Sequence, residues 1–305
     1  MSLKLIKNKI RSVDKTHTVT KAMEAVSAVK MRKSQERALE GRTYARSALT
    51  ILKRVSGSFD ASHHPLAEMK DSGKTLVVVV TSDKGLAGSL NNAVLKRTVR
   101  LIEESGFQKD TLGFLCLGKK GYEFFTKRGH TILLNQANIS DEVSSLDMKE
   151  VTAEIVRLFT KEEYDECYIL YTNFKSTFEQ EAVVRKILPL SVEAIAETVE
   201  GIIPEKGKFK EEKEEEVNIR EYTVEPNAEE VIDELLPFLL NIEVYHALLE
   251  AKASEHSARM VAMKSASDKA EEMSKDLNLE FNKARQALIT REVSEIIGGM
   301  ETLTT

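Results

Sequence analysis

The chain has no tryptophan, only 6% aromatic residues, two cysteines and five prolines in 305 residues. Each shortage excludes something. With so few rings the core is lean, although 42% hydrophobic residues still allow one. Cys116 and Cys167 each lie in an apolar, strand-like run, which reads as two buried free thiols rather than a disulfide framework. The longest wholly apolar run is LVVVV at 76–80, far short of the ~20 residues of a membrane span. MSLKLIKNKIRS, which opens the sequence, lacks the apolar stretch of a signal peptide. A soluble chain is expected, with no direct membrane insertion and any membrane link made through partners.

Chemistry is missing as well. The six histidines are scattered, without a His-Glu-x-x-His motif or a Cys/His pair at metal spacing. SGKT at 72–75 resembles the end of a phosphate-binding loop, but that loop needs glycine where Glu68 stands, and its strand should precede it. SDKGLAGSLN at 82–91 follows a strand run and enters a helix without the spacing of a dinucleotide loop, so a tight turn is expected there. No nucleophile–base or paired-carboxylate arrangement can be argued. The expectation is a chain with no catalytic site, no metal and no cofactor.

Glycine and proline are absent from Phe238 to Ile297, a stretch that spans ~90 Å as a helix. Within it Leu249, Ala253, His256, Met260, Met263, Ser267, Ala270, Ser274, Leu277, Phe281, Ala284 and Leu288 alternate by four and three. That is a heptad seam, filled in the middle with small or flexible residues. Leu3 to Ser56 forms a second helix candidate of ~80 Å, with apolar stripes at Ile6, Ile10, Val13 and then, out of step, at Val19, Ala22, Val26, Val29. Pro237 predicts a kink or restart near the beginning of the C-terminal helical region.

Between the helices the period changes. Strands are expected over 74–83, 111–118, 130–134, 166–174 and 181–190, with helices over 90–104, 119–127 and 148–160. Alternation of this kind implies an α/β domain with a largely parallel sheet. The expected fold is α/β: a long antiparallel coiled coil of the N- and C-terminal helices plus a central Rossmann-like α/β domain with a mostly parallel five-stranded sheet. Its divisions are 1–57 for the first shaft helix, 74–203 for the head domain, 204–225 for a charged linker, 226–299 for the second shaft helix and 300–305 for a tail. A domain of about 150 residues is only some 35–40 Å across, so helices of this length are expected to project as a shaft.

Residues 1–54 carry roughly fourteen Lys and Arg against four Asp and Glu, in a chain whose net charge is -5. A basic segment of this kind fits nucleic acid, anionic lipid or a carboxylate-rich protein surface. Aromatic residues are not interleaved with the charges, which disfavours nucleic acid.

The two helices together resemble the gamma subunit of F-type ATP synthases, bacterial type. IKNKIRSVDKTHTVTKAMEAVSAVKMRKSQ (6–35) is similar to that family's N-terminal helix, and ASEHSARMVAMKSASDKAEE (253–272), NKARQALIT (282–290) and ITREVSEIIGG (289–299) to its C-terminal one. TSDKGLAGSLN (81–91) and YTNFKST (171–177) resemble its central domain. The resemblance implies a central rotor shaft that couples ion-driven rotation of a membrane ring to ATP synthesis and hydrolysis on beta subunits, the chain itself being non-catalytic. Its implied partners are the alpha and beta hexamer, the epsilon subunit and the membrane c-ring, with no nucleic acid, at the cytoplasmic face of the bacterial plasma membrane. Implied beta-subunit contacts are Met23, Lys21, Lys30, Lys84, Ala87, Arg259, Arg285 and Gln286, while Ile289, Thr290, Glu292, Glu295 and Gly299 belong to the C-terminal signature. Met23 as seam packing and Arg285 as a solvated charge are the plain alternatives. From another class, a coiled-coil scaffold or nucleic-acid-binding arm would share the shaft shape and bind DNA or RNA with a steep salt dependence.

Overall fold

The computed structural model describes residues 2–55, 64–70, 73–191 and 227–301. The charged segment 204–225, Pro226 and the tail beyond Glu301 lie outside the described residues. The element order is α1 (Leu3–Val55), β1 (Thr75–Val80), α2 (Leu90–Ser105), β2 (Leu112–Leu117), α3 (Lys119–Lys127), β3 (Thr131–Gln136), α4 (Lys149–Thr160), β4 (Glu166–Phe174), β5 (Gln180–Leu188) and α5 (Ala228–Glu301). The chain divides into two compact units, Met1–Ser27 with Arg259–Thr305, and Ala28–Ala258.

In the first unit the two helix ends run antiparallel. His17 Nδ1 lies 3.0 Å from the backbone oxygen of Ser267, and Ser274 Oγ donates to Asp14 Oδ1 at 2.6 Å, so residue numbers rise on one helix as they fall on the other. On α5 the seam runs as its heptads predict: Met263, Ser267, Ala270 and Leu277 are buried, and Ser274, Phe281 and Ala284 half-buried between exposed neighbours. It stops at Ala284, because Leu288 is exposed.

On α1 the expected second stripe is not the seam. Ile6, Ile10, Val13, His17, Thr20, Glu24 and Ser27 carry the inward positions in unbroken steps of four and three, while Val19 is 57% exposed and Val26 54%. The cause is register. A partner whose heptads never slip accepts only a helix whose heptads never slip, and Val19, Ala22, Val26 and Val29 lie roughly 160° around the helix from that face. His, Thr and Ser therefore fill the seam, and the valines point away from it. Replacing both Val19 and Val26 by Ser should leave the free chain's urea unfolding within about 0.5 kcal/mol of the parent, as for other exposed positions. A larger loss would mean that these valines pack inward.

In the second unit the sheet order is β3-β2-β1-β4-β5, parallel except for the antiparallel pair β4 and β5. β1 and β2 are buried at every residue, which is why they read as continuous apolar runs rather than alternating ones. Val77 and Val79 face a layer holding Val94, Leu95 and Phe125 of α2 and α3. On the other face Leu76, Val78 and Val80 join Ile155 and Phe159 of α4, Ala48 and Leu49 of α1, and Leu236 to Ala251 of α5. Both cysteines are buried and free, and burial pushes the Cys116 thiol up to about 12 and raises that of Cys167 too, so neither is a reactive thiolate.

Pro237 does not restart the helix; it lies inside α5. It removes one backbone donor, the bond that would reach Asp233, and the flanking burial of Leu236, Leu239 and Leu240 offsets that loss. No helix among the described residues is long and apolar enough to cross a membrane.

Candidate functional site

At the carboxyl ends of β1 and β4, where an open α/β sheet usually binds its ligand, the strand order changes direction. Here α5 occupies the place. Leu248, Ala251, Lys252 and Glu255 close over Ser82, Asp83, Gly118 and Thr172, leaving a cavity of about 20 Å³. Small-molecule sites run to roughly 300 Å³ and more. The loop Thr81–Ser89 is tied to its own surroundings: Ser82 N donates to Asn91 Oδ1 at 2.9 Å, Ser82 Oγ to the backbone oxygen of Lys84 at 2.6 Å, and Gly121 N to Thr81 Oγ1 at 2.8 Å. Asp83 Oδ1 accepts from the backbone N–H of Lys119 at 2.9 Å. This loop is a turn wired to α2 and α3 through Ser82, Asp83 and Thr81.

A second arrangement was not foreseen in the sequence. The loop between β3 and α4 carries Asp141, whose side chain gathers cations from both long helices. Its Oδ2 accepts from Lys30 Nζ of α1 at 2.6 Å, while its Oδ1 lies 2.9 Å from His256 Nε2 and 3.4 Å from Lys252 Nζ of α5. Arg37 of α1 donates to the backbone oxygen of Asp141. Lys252 also donates to the backbone oxygen of Ile139 at 2.8 Å, Tyr245 Oη to that of Val143 at 3.1 Å, and Asn241 Nδ2 to that of Ser145 at 3.1 Å. Asn241, Tyr245, Lys252 and His256 follow steps of four and seven, so one polar stripe of α5 reads this loop along its length. The hydrogen bond with His256, followed by the one from Lys30, holds the Asp141 carboxyl well below the usual carboxylate range. Lys252 and His256 are nearly closed to solvent, with 9% and 4% of their side chains exposed. No group of three or more His, Cys, Asp or Glu able to hold a metal ion occurs among the described residues.

A long antiparallel helix pair with a small-residue seam, combined with a five-stranded sheet whose ligand crevice is filled, has relatives. A family model described as ATP synthase matches residues 2–303. The ATP synthase gamma chain of Geotalea uraniireducens is 40% identical over 302 residues, covering 99% of each chain, and that of Geobacter metallireducens is 40% identical with the same coverage. The chain belongs to the ATP synthase gamma-chain family. Among solved structures, a chain of the Euglena gracilis mitochondrial ATP synthase superposes with a TM-score of 0.63 at 19% identity, covering 99% of this chain and 94% of that one. A chain from the central stalk and c-ring of the Tetrahymena thermophila enzyme gives 0.58 at 25% identity, covering 82% and 99%.

The residues that a gamma chain would be expected to use fall into three groups. Lys21, Lys84, Arg285, Gln286, Ile289, Thr290, Glu292 and Glu295 are exposed. Of these, Glu295 pairs with Arg291 at 2.8 Å, and Thr290 donates to the Gln286 backbone oxygen at 3.0 Å. Met23 and Lys30 are half-buried, Lys30 being taken up by Asp141. Ala87 and Arg259 are buried. Gly299 lies within α5. Asp141 carries no motif, and its signal is only spatial: its partners stand more than a hundred positions away.

Proposed function

We propose that this gamma chain is the central rotor of an F-type ATP synthase. It turns with a membrane c-ring inside a hexamer of alpha and beta subunits and biases each beta subunit among its nucleotide states, a population shift driven by differences in contact free energy. It contributes no catalytic residue; the chemistry belongs to beta. The epsilon subunit is its neighbour, and the complex sits at the cytoplasmic face of a bacterial plasma membrane with this subunit peripheral to it.

The observation that carries the reading is the inversion on α1. His17, Thr20 and Ser27 point inward to the seam, while Val19 and Val26 point outward. An isolated helix pair in water should do the reverse. A pair enclosed by a sleeve of other subunits meets apolar surface on its outside, and side chains of modest size there give contacts that can be exchanged as it turns. Exposed Arg285 and Gln286 suit a hydrogen-bonded catch on beta, the guanidinium offering a fork to carbonyl or carboxylate oxygens.

The test is assembly with function. Mixed with alpha and beta subunits, the chain should enter at one copy per hexamer and ATP hydrolysis should depend on it. Arg285→Ala with Gln286→Ala should cost roughly tenfold or more in turnover, the scale of one or two charge-assisted hydrogen bonds. A folded chain that neither joins the hexamer nor alters hydrolysis would refute the rotor and return the scaffold reading.

A further inference from the structure

We propose that Asp141 is a positioning residue for coupling: its carboxylate fixes α1 and α5 to the loop after β3, so that torque received by the α/β unit reaches both long helices together. The inference rests on the rotor reading above. Three elements distant in sequence converge on this loop within a few ångströms, Lys30 and Arg37 from α1, Lys252 and His256 from α5, and Asp141 from the loop itself. All belong to the unit Ala28–Ala258.

The arrangement is stiffer than its count of ion pairs implies. Lys252 and His256 are almost closed to solvent while Asp141 keeps 31% of its side chain exposed, so the Lys252 pair is screened by salt less than a surface pair. Lys30 and Arg37 stand seven positions apart on α1, two turns, so they hold that helix against both rotation and sliding. On α5 the polar stripe from Asn241 to His256 does the same over fifteen positions, with Thr152 of α4 donating to Asn241 Oδ1 at 3.0 Å behind it. Apolar packing alone is non-directional and permits slip by a rotamer change. A carboxylate shared among cations from two helices has a defined direction for each. The same geometry gives Lys30 a role inside this chain.

The experiment uses the assembled, membrane-bound ATP synthase carrying Asp141→Asn, and reads two rates together: ATP hydrolysis and ATP-driven ion transport. Asparagine keeps the shape and removes the charge that Lys30, Lys252 and His256 share. The expected result is transport per ATP lowered by roughly two- to tenfold, the range over which changes along a coupling network act, with hydrolysis within about twofold of the parent. A merely structural defect lowers both rates together and leaves their ratio unchanged. An assembled variant with an unchanged ratio overturns the proposal. If Asp141→Asn fails to assemble, Arg37→Gln decides instead, since it weakens one of the two α1 contacts while Asp141 keeps its three side-chain partners, Lys30 among them. It should lower the ratio in the same direction, and an unchanged ratio again overturns the proposal. Failure of the parent chain itself to assemble would refute the rotor reading, and that outcome is distinct from both.

Discussion

Replacing Glu250 by Gln is expected to stabilise the chain at neutral pH and to steepen its rise in stability between pH 4.5 and 6.5. Glu250 lies on α5 against β4 and β5, almost fully buried, with no hydrogen-bond partner for Oε2 among the described residues. His246 Nε2 stands 3.9 Å from its Oε1, and the Arg185 guanidinium sits 5.4 Å over the Tyr171 ring beside it. Burial pushes the Glu250 carboxyl up to about 7 against the pull of Arg185, and pushes His246 down to about 3, with Arg185 adding to that shift. The signs then oppose. The folded state holds the Glu250 proton more tightly than the unfolded chain, so its contribution is full below the ordinary value of 4.5 and is lost as pH rises to about 7. His246 is held neutral, so its contribution is present above 6.5 and is lost as pH falls toward 3. Between 4.5 and 6.5 each changes stability by about 1.4 kcal/mol per pH unit in opposite directions, so in the parent these two contributions cancel there. With Gln at 250 the His246 slope is no longer opposed by Glu250. Urea unfolding should show the variant equal to the parent near pH 4.5 and about 3 kcal/mol more stable above pH 7. Parallel curves for parent and variant would show that Glu250 is ionised at no cost, and so is not enclosed as described.

How far such features could be read from the sequence depended on whether the deciding partner was local. β1 was legible because Thr75–Val80 is buried on both faces, and burial of that kind leaves only apolar residues to see. The α5 seam was legible because its heptads run unbroken from Met263 to Ala284 whatever fills them. The α1 seam was not, since hydrophobicity selected Val19 and Val26 where register selected Thr20 and Ser27. Ser267 makes sense in the seam only opposite its partner His17, 250 positions away in the sequence. Asp141 was invisible for the same reason: one acid in a loop looks like any other until two helices bring it cations. The wired turn at Thr81–Ser89 was legible as a turn from its glycines and its missing phosphate spacing. The burial of Ala87 beneath it was not, because it depends on how that turn folds back.

The stringency of that turn yields the other large effect. Gly118 ends β2 and precedes α3 with φ 107° and ψ 148°, a region that side-chain-bearing residues essentially never adopt. A Cβ built there would lie 1.9 Å from the backbone oxygen of Thr81 and 2.7 Å from its carbonyl carbon. Neither partner is a flexible chain end. Thr81 N donates to the Leu117 oxygen at 2.8 Å, and Gly118 N donates to the Gln136 oxygen at 2.8 Å, so the clash falls where β1, β2 and β3 are knitted together. Gly118→Ala should therefore cost about 4 kcal/mol or more, combining backbone strain with displacement of the β1 end. That is a large share of the ~5–15 kcal/mol that holds a domain folded. Two nearby glycines calibrate the effect. Gly88 has φ 58° with open space around a Cβ, so Gly88→Ala should cost only the ~1 kcal/mol of left-handed backbone. Gly85 has open space and no positive φ, so Gly85→Ala should stay within about 0.5 kcal/mol. Thermal unfolding of the three variants should rank them in that order. A Gly118→Ala chain that melts with the parent would mean that Thr81 yields easily, and a turn that yields there could not hold the backbone at Lys84 in one place against a partner.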